Sequence, residues 1–236
     1  MWNGKKKAVT FSFDDGVTQD KRLIEIFNKY GLKSTFNLNA GLLGLPGSLS
    51  SGGKTVNHTK VSASEVKTLY DGHEIASHTL THPGLPSLDD ETIIRQVELD
   101  RELLERLCGY PICGMAYPGG GVNHDDRVVD VIKENTAIKY ARTITSTYSF
   151  DLQDDLLRFN PTVKFTENNL FDLLEKFLSM ETDKPQLFYI WGHSYEMDFG
   201  DDDEFTTWER FEEFCKLISN KSDIFYGTNK QVLLDR

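Results

Sequence analysis

The chain has 236 residues, of which 27% are charged and 39% hydrophobic, and its formal net charge is −11. That length is enough for one sizeable core, and the composition is that of an ordinary globular domain. The acidic balance argues against nucleic acid or an anionic membrane as partner, and no stretch approaches the roughly 20 apolar residues of a membrane span.

Strand-like and helix-like segments alternate along almost the whole length. Residues 8–13 are β-branched and aromatic and predict a strand. "TQDKRLIEIFNKYG" puts Leu23, Ile26, Phe27 and Tyr30 on one helical face, with Thr18 as the expected N-cap and Gly31 as the stop. Residues 34–38 are the next strand. Residues 41–60 break the rhythm with Gly, Ser, Leu and Lys, and are expected to form a long surface loop, a length usually reserved for lids or binding segments. Ser62 and Glu65 spell a capping box for a short helix ending at Gly72, and residues 73–77 form a strand.

The longest helix is expected over 87–107, followed by a strand in "PICGMAY", a helix over 125–134 and a strand in "IKYARTIT". "LLRFNPTVKF" is extended, with Pro161 pointing to an edge or a bulge. A capped helix in "TENNLFDLLEKFLSM" leads to "QLFYIWG", apolar throughout as a fully buried parallel strand is. A helix over 206–219 and a strand at 224–226 close the chain, and the acidic stretch 198–204 reads as a solvated turn that caps that helix. Strands that alternate with helices imply βαβ units and a parallel sheet, either a (β/α) barrel or a doubly wound sheet. No linker or composition shift divides the chain, so residues 1–236 read as a single domain.

In such sheets the chemistry gathers beyond the carboxyl ends of the strands. Asp14 and Asp15 follow the first strand in "TFSFDDG". His78 and His82 follow the strand at 73–77, "AYPGGG" follows "PICGM", Arg142 ends the "IKYA" strand, and His193 follows "QLFYIW". A hairpin turn explains one acidic Asp-Gly, but not five polar or glycine-rich features delivered to one end. His78 and His82 are four apart, so on a helical turn both imidazoles face one side, suitable for one metal. Two His and one carboxylate form an open catalytic site for a divalent ion, expected to be Zn²⁺, with Co²⁺ or another divalent ion as alternative. Of the two adjacent aspartates, one can bind the ion while the other takes a proton from water. His193 is the expected acid for the leaving group, and Gly119 and Gly120 offer unobstructed backbone N–H groups for an oxyanion. His58, His73 and His124 carry no such pattern. Cys108, Cys113 and Cys215 are an odd count without metal-type spacing, which suggests reduced thiols. With no signal-peptide pattern at the start, the expectation is a cytoplasmic protein, the alternative being secretion with a leader removed.

These motifs resemble those of the polysaccharide deacetylases, the NodB-homology group of carbohydrate esterases. "TFSFDDG" is similar to their first motif, "SHTLTH" to their histidine metal motif and "LFYIWGHS" to their final His-bearing strand. The resemblance implies a distorted (β/α) barrel with about seven parallel strands. It implies Asp14 as general base, Asp15, His78 and His82 as metal ligands and His193 as general acid. The family's third motif carries an arginine where this chain has Ala116 and an aromatic where it has Gly119, so Arg142 is the expected substitute. The family's groove-wall motif has no clear match at 146–165. The implied activity is removal of acetyl, foremost N-acetyl, from a sugar. Tyr117, Pro118, Trp191 and Tyr195 are the expected substrate contacts, with Tyr148 a further aromatic to weigh. An amidohydrolase on a small non-sugar amide and a lapsed carbohydrate-binding protein are the alternatives.

Overall fold

The structure, a computed structural model, describes residues 1–200 and 207–235. Strand β1 (Lys7–Asp14) is buried at every position and its residues divide by parity. Val9, Phe11 and Phe13 enter an aromatic core with Phe27, Phe165, Phe211 and Phe214. Ring centroids there lie 4.8–6.3 Å apart, so this one cluster clamps the strand to its covering helices. The alternate residues carry a polar ladder. Thr10 donates to Asn229 (2.9 Å), Asn229 donates to Ser12 (3.2 Å), and Asn37 donates to both Ser12 (2.9 Å) and Asp14 (2.8 Å). The row ends on Asp14, to which Asn37 gives its amide N–H, while the Asn37 carbonyl oxygen is buried without a partner.

Helix α1 (Asp20–Tyr30) ends at left-handed Gly31, as expected, but Gln19 holds its N-cap position with no side-chain bond. Thr18 is engaged elsewhere: its N–H donates to Thr59 O (2.9 Å) and its hydroxyl accepts from Asn57 (2.9 Å). Strand β2 (Ser34–Leu38) pairs parallel to β1 with Asn37 opposite Asp14. The segment expected to be a surface loop instead contains an antiparallel hairpin, β3 (Ser48–Ser51) and β4 (Lys54–Asn57). Gly52 and Gly53, both left-handed, supply the tight two-residue turn, a signal stronger than the loop-like composition around it.

Helix α2 (Val66–Leu69) is a single turn, shorter than the expected helix, and only half of the capping box forms, from Ser62 N–H to Glu65 Oε2 (3.2 Å). Then follow β5 (Glu74–Ser77), α3 (Asp90–Cys108, capped by Asp89), β6 (Gly114–Ala116), α4 (Asp126–Asn135, capped by Asp125) and β7 (Tyr140–Arg142). The "LLRFNPTVKF" stretch breaks into a 3₁₀ turn and the short edge strand β8 (Val163–Lys164). Helix α5 (Leu170–Ser179) lacks the side-chain cap expected of it. Strand β9 (Gln186–Gly192), α6 (Glu196–Phe199), α7 (Trp208–Ile218, capped by Thr207) and β10 (Ile224–Tyr226) follow. The acidic stretch 198–204 expected to cap α7 lies mostly outside the described residues, as does the expected start of that helix at 206.

All strands of the main sheet are parallel, in the order β7-β6-β5-β2-β1-β9-β8, with β10 beside the first half of β1. The segment 159–163 bridges the two ends. Phe159 N–H donates to Ala141 O and its carbonyl accepts from Thr143 (3.0 Å each), while Val163 pairs with Ile190. The sheet thus curls into a distorted (β/α) barrel rather than a doubly wound sheet. Helix α8 (Asn229–Leu233), not foreseen in the sequence, supplies Asn229 to the polar ladder and its Lys230 N–H to Glu74 (2.9 Å). All three cysteines are free. Among the described residues no helix is long and apolar enough to cross a membrane.

Candidate metal and catalytic centre

The carboxyl ends of β1, β5, β6, β7 and β9 open onto a cavity of about 450 Å³. β1 ends in Asp14, and the next residue, Asp15, takes a left-handed φ of +82°, rare for a residue with a side chain. That turn sends the two neighbouring carboxylates in different directions. Both stay largely buried, at 2% and 7% exposure.

His78 and His82 follow β5, but not on the helical turn that their spacing suggested. Thr79 (φ +66°) and His82 (φ +59°) are left-handed, and this irregular loop brings the rings to 4.9 Å. His78 Nδ1 lies 2.9 Å from Ala116 O, to which it donates, leaving the Nε2 lone pair for the cavity. Burial pushes His78 down to about 4 against the pull of Asp14 and Asp15, so the ring is neutral near pH 7. Asp100, reaching from α3, accepts from the hydroxyl of Ser77 (2.6 Å) and from the N–H of His78 (3.3 Å) and Ala40 (2.6 Å), pinning the strand end that carries His78.

Asp15, His78 and His82 each bring one ligand atom within 4.8 Å of the others. Burial pushes the Asp15 carboxyl up, but His58, His193, Lys60 and His78 outweigh it and hold it well below the usual carboxylate range. An ionised carboxylate with two imidazoles, one already fixed in its tautomer by a carbonyl, fits a divalent cation of the zinc type. His58 Nε2 (3.2 Å) and Lys60 Nζ (3.3 Å), both from the arm after β4, flank the same carboxylate.

Asp14 stands between two histidines, with its Oδ2 4.0 Å from His78 Nε2 and 3.9 Å from His193 Nε2. Arg142 donates to Oδ2 and Asn37 to Oδ1. The guanidinium is fully buried, stacks 4.3 Å from the Trp191 ring and also donates to Thr143 O. Arg142 therefore reaches the aspartate from the end of β7, while Ala116 stands at the end of β6.

His193 follows β9. Its Nδ1 lies 3.3 Å from Glu196, which in turn is bridged by Lys164 (2.5 Å). Burial disfavours the charged imidazole, but Glu196, Asp14 and Asp15 outweigh it and raise His193 above the ordinary histidine value. Glu196 itself is desolvated by burial, yet His193 and Lys164 hold it at about 2. Ser194, next in the chain, donates to buried Asp20 (2.6 Å), which anchors this turn to α1.

The expected substrate contacts divide. Trp191 and Tyr195 line the cavity, and Tyr195 packs on both His193 (5.0 Å) and His58 (4.8 Å). Gly119 and Gly120 line it too, with Gly119 at φ +83°. Tyr117 forms part of the wall, but its hydroxyl donates to Leu157 O (2.8 Å) and its ring stacks on His124. Pro118 is buried outside the lining, and Tyr148, 48% exposed, bonds Glu167 away from the cavity. Sequence reasoning overlooked Asn37, Lys60, Asp100 and Glu196, and set His58 aside as carrying no pattern. A carboxylate three residues after His193 was the readable sign for Glu196, and equivalent position on a neighbouring strand end was the sign for Asn37.

Comparison with known proteins places this arrangement. The family described as polysaccharide deacetylase matches residues 2–137. A probable peptidoglycan-N-acetylglucosamine deacetylase of Arthroderma benhamiae is 31% identical over 115 residues, 48% of this chain and 24% of that protein. The chain thus spans about a quarter of the length of that curated relative. Among solved structures, a CE4 family pseudoenzyme from Bacillus anthracis superposes with a TM-score of 0.61 at 18% identity, over 97% of this chain and 66% of that one. The CE4 domain of a multidomain xylanase from the hindgut metagenome of Trinervitermes trinervoides gives 0.61 at 15% identity, over 98% and 91%. The peptidoglycan deacetylase PdaC of Bacillus subtilis gives 0.55 at 15%, over 96% and 90%. At these identities the structural likeness establishes the fold, and the family match covers more than half of the sequence: the chain belongs to the polysaccharide deacetylase family.

Proposed function

We propose that this chain is a metal-dependent deacetylase that removes acetyl, foremost N-acetyl, from a sugar or glycan, with Zn²⁺ as the ion. The observation that carries this reading is the meeting of Asp15, His78 and His82 with buried Asp14 and His193 in one cavity. Asp15, His78 and His82 would hold the divalent cation, which would supply Lewis-acid polarisation of the acetyl carbonyl and a lowered pKa for the attacking water. Asp14 takes the proton of the attacking water, and Arg142 and Asn37 keep its carboxylate oriented. The backbone at Gly119 faces the developing oxyanion, where removing one stabilising donor costs on the order of 10²-fold or more. His193, turned by Glu196, protonates the departing amine. Trp191 and Tyr195 give the sugar apolar walls.

Acetate release from acetylated chito-oligosaccharides and acetylated xylan tests this reading. Metal-stripped protein, protein given Zn²⁺ or Co²⁺, and Asp14→Asn are compared. The expected result is release that disappears on stripping, returns with metal and is lost in Asp14→Asn. Release that survives both chelation and Asp14→Asn overturns the mechanism. No release from either glycan moves the assignment to a small amide or to a carbohydrate-binding protein.

A further inference from the structure

A second cavity of about 440 Å³ adjoins the catalytic one, with Asp15, His82 and Tyr195 forming the wall between them. Its remaining walls are mostly apolar, built from Leu42, Leu45, Pro46 and Leu49. Leu45 is 50% and Leu49 36% exposed, so two leucines stand open to solvent at the mouth of a catalytic cleft. The basic side chains nearby, His58 and Lys60, both face Asp15.

The wall is a built one. Gly44 N–H donates to Val61 O (2.9 Å), His58 N–H to Gly47 O (2.8 Å) and Lys60 N–H to Leu45 O (2.9 Å). Gly47 lies so close to the returning strand that an added Cβ would sit 3.0 Å from His58 O. The hairpin is tied to α6 through Lys54, which donates to Phe199 O, and Gln19 bridges Asn57 O (2.6 Å) to Asp198 (2.7 Å). A pocket preformed in this way loses little freedom on binding.

We infer that this pocket receives an apolar, uncharged substituent on the leaving-group side of the substrate, an alkyl or aryl aglycone of an acetylated amino sugar. The inference rests on the deacetylase reading above. The side follows from Tyr195: it packs against His193, the group that protonates the departing amine, and the same ring opens onto the second pocket. A charged substituent would lose water beside the leucines, and the basic groups of the lining, His58 and Lys60, are already turned to Asp15.

Calorimetry on the zinc-supplemented wild-type protein tests this with methyl and hexyl β-glycosides of glucosamine, product forms that are not consumed. Each fully buried methylene contributes about fourfold in affinity, so burial of two of the five added ones is enough for a gain above about tenfold. That gain, lost in Leu45→Asp and reduced in Leu45→Ala, supports the pocket; equal affinities overturn it. A second arm compares hydrolysis of N-acetyl and N-hexanoyl methyl glycosides. A chain-length preference on the acyl side, with none on the glycoside side, overturns the leaving-side placement. Acetate release from N-acetylated methyl and hexyl glycosides is followed in parallel. A binding gain without release retires the deacetylase reading and leaves the apolar pocket supported.

Discussion

Arg142→Met isolates the buried contact that holds Asp14, the proposed base. Arg142 is fully buried and Asp14 is 2% exposed, so removing the guanidinium leaves a carboxylate in the barrel with Asn37 as its remaining side-chain donor. Breaking one side of a buried ion pair costs about 3–5 kcal/mol, because the partner's desolvation is no longer offset. The methionine keeps most of the apolar volume against Trp191, so packing loss adds little. For a chain of this size each kcal/mol lowers Tm by roughly 2–4 °C, and the expected drop is about 6–20 °C. Urea unfolding at pH 7 of the wild type, Arg142→Met, Asp14→Asn and the double variant closes the cycle. The double variant is expected to be more stable than the sum of the singles by at least about 1 kcal/mol, since neither charge is then stranded. A single-variant cost below about 1 kcal/mol, or strict additivity, refutes the claim that Arg142 holds Asp14 by charge.

Two further tests address other buried groups. Glu196→Gln removes the chief influence that raises His193, so the alkaline limb of the pH–rate profile, where the acid loses its proton, moves to lower pH with a reduced kcat; an unmoved limb excludes His193–Glu196 as the acid unit. Asp20, buried against Ser194 and Tyr70, is pushed by burial from 3.8 up to about 7. Between those values the folded protein holds a proton that the unfolded chain releases, so Asp20 costs stability progressively as pH rises from about 4 to 7, on the order of 4 kcal/mol in all. The stability of Asp20→Asn relative to wild type therefore climbs over that interval in unfolding curves, and parallel pH dependences contradict the assignment.

Local signals carried far where one segment decides its own state. Residues 34–38, 186–192 and 224–226 are strands with the boundaries their composition indicates, the first two buried at every position, where such runs have no alternative use. The Gly52-Gly53 turn was equally local but was hidden by the polar, exposed strands that it joins. Thr18 does not cap α1 and α5 has no side-chain cap, and Thr18 is visibly engaged by residues about forty positions away.

What the sequence by itself determined is the alternation that makes a parallel sheet and the placing of Asp14, Asp15, His78, His82 and His193 at or just after strand ends. Both are properties of period and order along the chain, which every βαβ repeat converts into one common end of the sheet. Only the tertiary structure decided which groups those residues meet. Arg142 reaches Asp14 across 128 positions, His58 and Lys60 reach Asp15 across more than forty, and Asp100 reaches back from α3 to the backbone of His78. Such partners are set by the curl of the sheet, the left-handed turns at Asp15, Thr79 and His82, and the fold of the arm over the cleft. Charge and hydrogen-bond complementarity act between neighbours in space, and separation along the chain carries no record of them.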